Sequence, residues 1–93
     1  MVIRKTDANH KEIMEQCRQI PNLSVFSTHT IGKGFPDIVV GYKGKNYLFE
    51  IKNKKKTKSQ KKLTPDEEKF HFTWNGQINI VESIFDIINL IGR

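Results

Sequence analysis

Residues 36–52 read Pro36-Asp37-Ile38-Val39-Val40-Gly41-Tyr42-Lys43-Gly44-Lys45-Asn46-Tyr47-Leu48-Phe49-Glu50-Ile51-Lys52. Two β-prone runs, Pro36–Tyr42 and Lys45–Lys52, flank a Lys43-Gly44 turn dipeptide, the pattern of a β-hairpin. With a two-residue turn, Tyr42 pairs with Lys45 and the ladder sets Asp37 opposite Glu50. Alternation puts Tyr47, Phe49 and Ile51 on one face and Leu48, Glu50 and Lys52 on the other. A three-residue loop would shift that register and separate the two acids.

Outward from the hairpin, the rest of the chain supplies helices and further strands. Asp7 is placed to cap a first helix that Pro21 ends, with Ile13, Met14, Cys17 and Ile20 at helical spacing. Leu23–Thr28 is a short strand, followed by a glycine-containing loop from His29 to Gly34, expected to be mobile. Thr64-Pro65-Asp66-Glu67 combines a capping box with proline in the first helical turn and opens a second helix carrying Phe70 and Trp74. Asn75-Gly76 turns the chain into a strand over Gln77–Val81, and Ser83 is placed to cap a last helix ending at Gly92. The order α-β-β-β-α-β-α predicts an α/β domain, a small mixed sheet flanked by helices, spanning residues 1–93.

Composition excludes several classes. A chain of 93 residues has room for one core, and 37% hydrophobic residues with nine aromatics are too many for a disordered chain. The single cysteine, Cys17, forms no internal disulfide and reads as core, which fits a reducing, cytoplasmic setting. No secretion signal or membrane span is read from the sequence, because the richest apolar stretch, Ile84–Ile91, is interrupted by Asp86 and Asn89.

The net charge of +6 is local. Seven of the lysines fall in residues 52–62, an acid-free run, leaving nine basic and ten acidic residues elsewhere. Such a run is either a solvated loop or a contact for an anionic partner.

Opposed carboxylates about 5 Å apart repel by roughly 3 kcal/mol at an effective dielectric of 20. The repulsion between Asp37 and Glu50 calls for a shared proton, a cation such as Lys52, a divalent metal, or simple screening by water at an exposed hairpin end. An acid at a strand start opposite Glu-x-Lys is the donor pattern of a hard-metal site that activates water against phosphate.

Pro36-Asp37 followed by Glu50-Ile51-Lys52 resembles the PD-(D/E)xK nuclease superfamily. Gly32-Lys33-Gly34-Phe35-Pro36-Asp37, Tyr47–Lys52, Lys62-Leu63-Thr64-Pro65-Asp66 and Trp74-Asn75-Gly76-Gln77 extend that likeness, from about Arg4 to Ile91, to the VRR-NUC domain in its free-standing phage form. The resemblance implies a restriction-endonuclease-like core and a metal-dependent DNA endonuclease. Asp37, Glu50 and the Ile51 carbonyl would hold Mg²⁺ or Mn²⁺, Glu12 would join them from the first helix, and Lys52 would act on the attacking water. Lys33, Lys54, Lys55, Lys56, Lys58, Lys61 and Lys62 would bind DNA. The resemblance further implies a homodimer selective for branched DNA such as four-way junctions, acting as a phage or prophage protein inside a bacterial host.

Helical geometry sets Glu12 at the border of the apolar stripe with Glu15 nearly opposite, so Glu12 is the better placed acid, though an ordinary solvated glutamate fits the same position. Many members of the family carry glutamine where this chain has Glu67, which puts a direct role for Glu67 at the phosphate in doubt beyond its cap. His29 and His71 are assigned no catalytic role, and Phe70, Phe72 and Trp74 are read as packing. The rival functions are a DNA-binding module that does not cleave and an RNA- or protein-binding accessory factor.

Overall fold

A computed structural model describes residues 8–53 and 62–93. Helix α1 spans His10–Arg18, strands β1, β2 and β3 span Leu23–Ser27, Ile38–Tyr42 and Lys45–Ile51, helix α2 spans Pro65–Thr73, strand β4 spans Asn79–Val81 and helix α3 spans Ile84–Ile91. The strands form one mixed sheet in the order β1-β2-β3-β4, antiparallel except for the parallel β3–β4 pair. The α/β class and the element order are those read from the sequence.

Lys43 and Gly44 both take positive φ, 50° and 78°, the combination that a tight two-residue hairpin turn needs to follow the twist of its strands. Tyr42 accordingly pairs with Lys45 and Ile38 with Phe49, the expected register. Phe49 and Ile51 are fully buried, together with Ile38, Val40 and Tyr42 of β2. Ile13, Met14 and Cys17 of α1 and Ile84, Ile87 and Ile91 of α3 complete this core with Val81. Cys17 is core as expected, and burial pushes its thiol up to about 11.

Several element ends differ from the sequence reading, each for a local reason. Asp7 lies outside the described residues, and the N-cap of α1 is Asn9. Its side chain makes no cap bond and instead donates to the carbonyls of Lys52 and Glu82, at 3.2 and 2.9 Å, tying α1 to the end of the sheet. β4 begins at Asn79 rather than Gln77, because the Gln77 side chain takes up the ladder in place of backbone. It accepts from the Leu48 amide at 2.6 Å and donates to the Leu48 carbonyl at 2.9 Å. The loop from His29 to Gly34 carries turn bonds from Ile31 to Thr28 and from Phe35 to Gly32, and Gly32 and Gly34 are buried.

Helix α2 buries no residue fully. Phe70 meets Phe35 edge-on and stacks on Trp74, with centroids 5.4 and 5.0 Å apart. Phe72 is 89% exposed and Trp74, though stacked on Phe70, is 44% exposed, so the packing read for the three aromatics holds for Phe70, in part for Trp74, and fails for Phe72. Among the described residues, no helix is long and apolar enough to cross a membrane.

Candidate active site

Pro36 has no N–H to give, and the β2–β3 ladder stops at Ile38–Phe49. Asp37 therefore stands just outside the ladder instead of forming its last pair with Glu50. Its amide donates to the Phe49 carbonyl at 3.1 Å, and its carbonyl accepts from Thr28 at 2.8 Å. The Asp37 carboxylate reaches past Glu50, and Oδ2 accepts from the Ile51 amide at 2.7 Å.

Glu50 lies on the sheet face away from the α1–α3 core, yet only 1% of it is exposed. Screening by water at an open hairpin end is thereby ruled out. Burial, followed by the neighbouring carboxylates of Asp37 and Glu67, pushes the Glu50 carboxyl up to about 11. Its Oε1 is buried without a hydrogen-bond partner among the described residues. A buried polar atom in that position is costly, and such atoms recur where a ligand, ion or water belongs.

Lys52 extends from the end of β3 to the first turn of α2, where its Nζ lies 3.1 Å from Glu67 Oε1. The same Glu67 oxygen accepts from the Thr64 amide at 2.9 Å, while Thr64 Oγ1 accepts from the Glu67 amide at 3.2 Å. The capping box read from the sequence is present, and its acid also belongs to the site. Burial works against the Glu67 charge, but the Thr64 amide and Lys52 outweigh it and hold the carboxyl below its ordinary value. His71, one helical turn after Glu67, is lowered by burial and by Lys52, against the opposing pull of Glu67.

Gly34 explains how the loop and α2 come together. Its φ is +80°, and a Cβ there would stand 2.1 Å from the Asp66 carbonyl oxygen, far inside contact distance. Gly34 thus serves a close approach of the loop to the first turn of α2, within the protein. His29, Gly34, Phe35, Asp37, Thr64, Asp66 and Glu67 line a cleft of about 220 Å³.

The other residues singled out in the sequence fall at several places. Glu12 is exposed on α1 and lines a different cleft, with Asn9, Asn53 and Glu82, so it reaches the end of β3 from another side and is not gathered with Asp37 and Glu67. Lys33 and Lys62 are exposed. Lys54, Lys55, Lys56, Lys58 and Lys61 lie outside the described residues.

Among the described residues, no group of three or more His, Cys, Asp or Glu side chains is arranged to hold a metal ion. Two carboxylates, one with a buried oxygen lacking a partner, nonetheless suit a magnesium-like cation. That ion is commonly bound through one or two protein carboxylates, with water and substrate phosphate completing its shell.

Comparison with protein-family models, with curated proteins and with solved structures finds no match to this chain.

Proposed function

We propose that the chain is a metal-dependent nuclease hydrolysing DNA phosphodiesters, as its resemblance to VRR-NUC domains implies. The observation that carries the proposal is the Glu50 carboxyl, buried beside Asp37 with a partnerless oxygen and followed two residues later by Lys52. A divalent cation taken up between Asp37 and Glu50 would displace the Glu50 proton and satisfy the orphan oxygen.

In this reading Asp37, Glu50 and the Ile51 carbonyl would hold Mg²⁺ or Mn²⁺, while Glu12, which lines a separate cleft, takes no part in holding it. When bound, the ion supplies Lewis acidity toward the phosphoryl oxygen and the attacking water. Lys52 orients that water and offsets the negative charge that grows on the phosphate as the new P–O bond forms and the bond to the leaving sugar oxygen breaks. Lys33, Lys62 and the lysines between Asn53 and Lys62 hold the DNA backbone. The favoured substrate is a branched duplex such as a four-way junction. The working form is a homodimer, since each site cuts one strand and two-fold symmetry pairs the cuts.

The test is incubation of the purified chain with labelled four-way junction and matched linear duplex, in Mg²⁺, Mn²⁺ or EDTA, beside Asp37→Asn, Glu50→Gln and Lys52→Ala. Metal-dependent cleavage lost in all three variants supports the proposal. Cleavage in excess EDTA, or by Asp37→Asn at the wild-type rate, overturns it. Light scattering that finds a monomer, with junction and duplex cut equally, overturns the junction and dimer parts alone.

A further inference from the structure

The cleft that holds Asp37 and Glu67 has an imidazole on its wall, and that imidazole is held in place. His29 Nδ1 lies 2.8 Å from Ser27 Oγ, and Ser27 Oγ lies 3.2 Å from Nε2 of His10, which is 7% exposed. The two rings meet edge to face, with centroids 5.3 Å apart and planes at 71°. The three residues come from the first turn of α1, the end of β1 and the following loop.

Between Ser27 and His29 stands the buried Thr28, whose Oγ1 donates to the Pro36 carbonyl at 2.7 Å and whose amide donates to the Asp37 carbonyl at 2.8 Å. His29 is thereby anchored twice, through its ring to α1 and through its backbone to the segment that presents Asp37. Among the cleft-lining residues, three carry carboxylates, Asp37, Asp66 and Glu67, and His29 alone has a side chain that can carry positive charge. Lys52 offsets Glu67, and a donor on the wall facing Asp37 would add a second contact for a phosphodiester entering the cleft.

We propose that His29 is a substrate-contacting residue whose Nε2–H donates to a non-bridging oxygen of the scissile phosphate, with Ser27 and His10 as its positioning residues. The hydroxyl proton of Ser27 can serve only one neighbour. With a phosphate oxygen at His29 Nε2, Ser27 donates to His29 Nδ1 and accepts from His10 Nε2–H, which leaves the outer nitrogen of this cleft-lining histidine protonated. Such a preset donor is worth most against the extra charge that the phosphate gains in the transition state.

The inference rests on the proposed phosphodiesterase reading for the identity of its ligand, and its test separates the two. On an active wild-type chain, His29→Ala should lower kcat about 100-fold with KM little changed, the usual loss for one such donor. His29→Gln, whose amide can place an N–H near the Nε2 position, should recover most of the rate. Ser27→Ala should cost roughly tenfold, as loss of a partner that orients a histidine does. It should also shift the His29 ¹⁵N resonances away from the Nε2–H tautomer, which a merely structural role for Ser27 would not do.

Wild-type kcat in His29→Ala overturns the inference. If the wild type cuts nothing, the nuclease reading fails, and His29 is decided by its side-chain ¹⁵N resonances in the full chain as a short DNA duplex is added with calcium. Movement of Nε2 sustains the contact, and an unmoved Nε2 under saturating duplex overturns it. Should His29→Ala fail to fold, His29→Gln and Ser27→Ala carry the same comparison.

Discussion

Lys52 Nζ and Glu67 Oε1 are joined at 3.1 Å, and the glutamate oxygen that receives the lysine is the one that caps α2. One carboxylate therefore serves two elements: it closes the first turn of a helix that buries little of its own, and it fixes the direction of a lysine at the end of β3. With side-chain exposures of 11% and 19%, the pair is shielded enough that losing it costs more than losing an ion pair at an open surface.

Glu67→Ala should accordingly cost about 2–4 kcal/mol, combining a lost cap with a lost, partly shielded ion pair. Glu67→Gln keeps an oxygen for the Thr64 amide and for Lys52 and should cost only about 1 kcal/mol, less than a full hydrogen bond to a charged group. Urea denaturation of both variants beside wild type reads the difference. Equal losses would show that the cap contributes nothing separable from the ion pair.

The two glutamates at the site respond to pH in opposite directions. Glu50, raised by burial and then by Asp37 and Glu67, holds its proton in the folded chain and loses it in the unfolded one at ordinary carboxylate pH. Its contribution is thus fully present below about pH 4.5 and is lost as pH rises toward about 11, at about 1 kcal/mol per unit. Glu67, lowered overall, contributes above its unfolded value and is lost as pH falls through its folded one. In EDTA, stability between pH 6 and 9 should therefore decline with rising pH, and Glu50→Gln should flatten the decline and be more stable than wild type at the alkaline end. Thermal melts across that range test it, and an unchanged slope in Glu50→Gln would reject it.

A bound cation should reverse that trend, because it takes up the ionised form of the carboxylates. Mg²⁺ or Mn²⁺ at about 100 times its dissociation constant should stabilise the wild-type chain by about 3 kcal/mol. The gain should grow as pH rises and vanish in Asp37→Asn and Glu50→Gln. Melts in EDTA and in metal provide the measurement, independently of any cleavage.

Much of this architecture is legible in the sequence where local chemistry has one meaning. Lys43-Gly44 sets a turn length and hence a register, Thr64 and Glu67 mark a helix start, and Ser83 and Gly92 bracket α3, where Ser83 Oγ accepts from the Asp86 amide at 3.4 Å and Gly92 takes φ 80°. Residues with two possible uses are harder. Glu67 reads as a cap, and a cap accounts for it completely until the lysine of another element is seen beside it. Gly34 reads as a loop glycine whether its close neighbour is DNA or the backbone of α2. His10, Ser27 and His29 have no shared motif, since only the packing of α1 against the end of β1 brings them together.

Gly34 and Gly44 give a controlled comparison. Both have positive φ, +80° and +78°, but a Cβ on Gly44 would meet nothing within 4 Å whereas one on Gly34 would strike the backbone of α2. Gly44→Ala should cost about 1 kcal/mol, the conformational penalty alone. Gly34→Ala should cost at least about 3 kcal/mol, adding the strain of a displaced helix. It should also impair cleavage, because Asp66 and Glu67 move with the first turn of α2. Similar stability in the two alanine variants would contradict the close approach.

The lysine run provides a final expectation that depends on charge alone. Seven lysines over residues 52–62 cannot all meet phosphates at once, and Lys52 is committed to Glu67. About four simultaneous phosphate contacts correspond to a slope near −4 when the logarithm of the binding constant is plotted against that of the salt concentration. Replacing Lys54, Lys55, Lys56 and Lys58 with glutamine should flatten that slope and weaken linear and branched DNA alike, because backbone contacts carry no sequence information. Fluorescence anisotropy with calcium in place of magnesium, over a range of salt concentrations, reads affinity without cleavage. An unchanged affinity and slope in the fourfold variant would assign the run to solubility and leave the DNA contact to Lys33, Lys62 and the cleft itself.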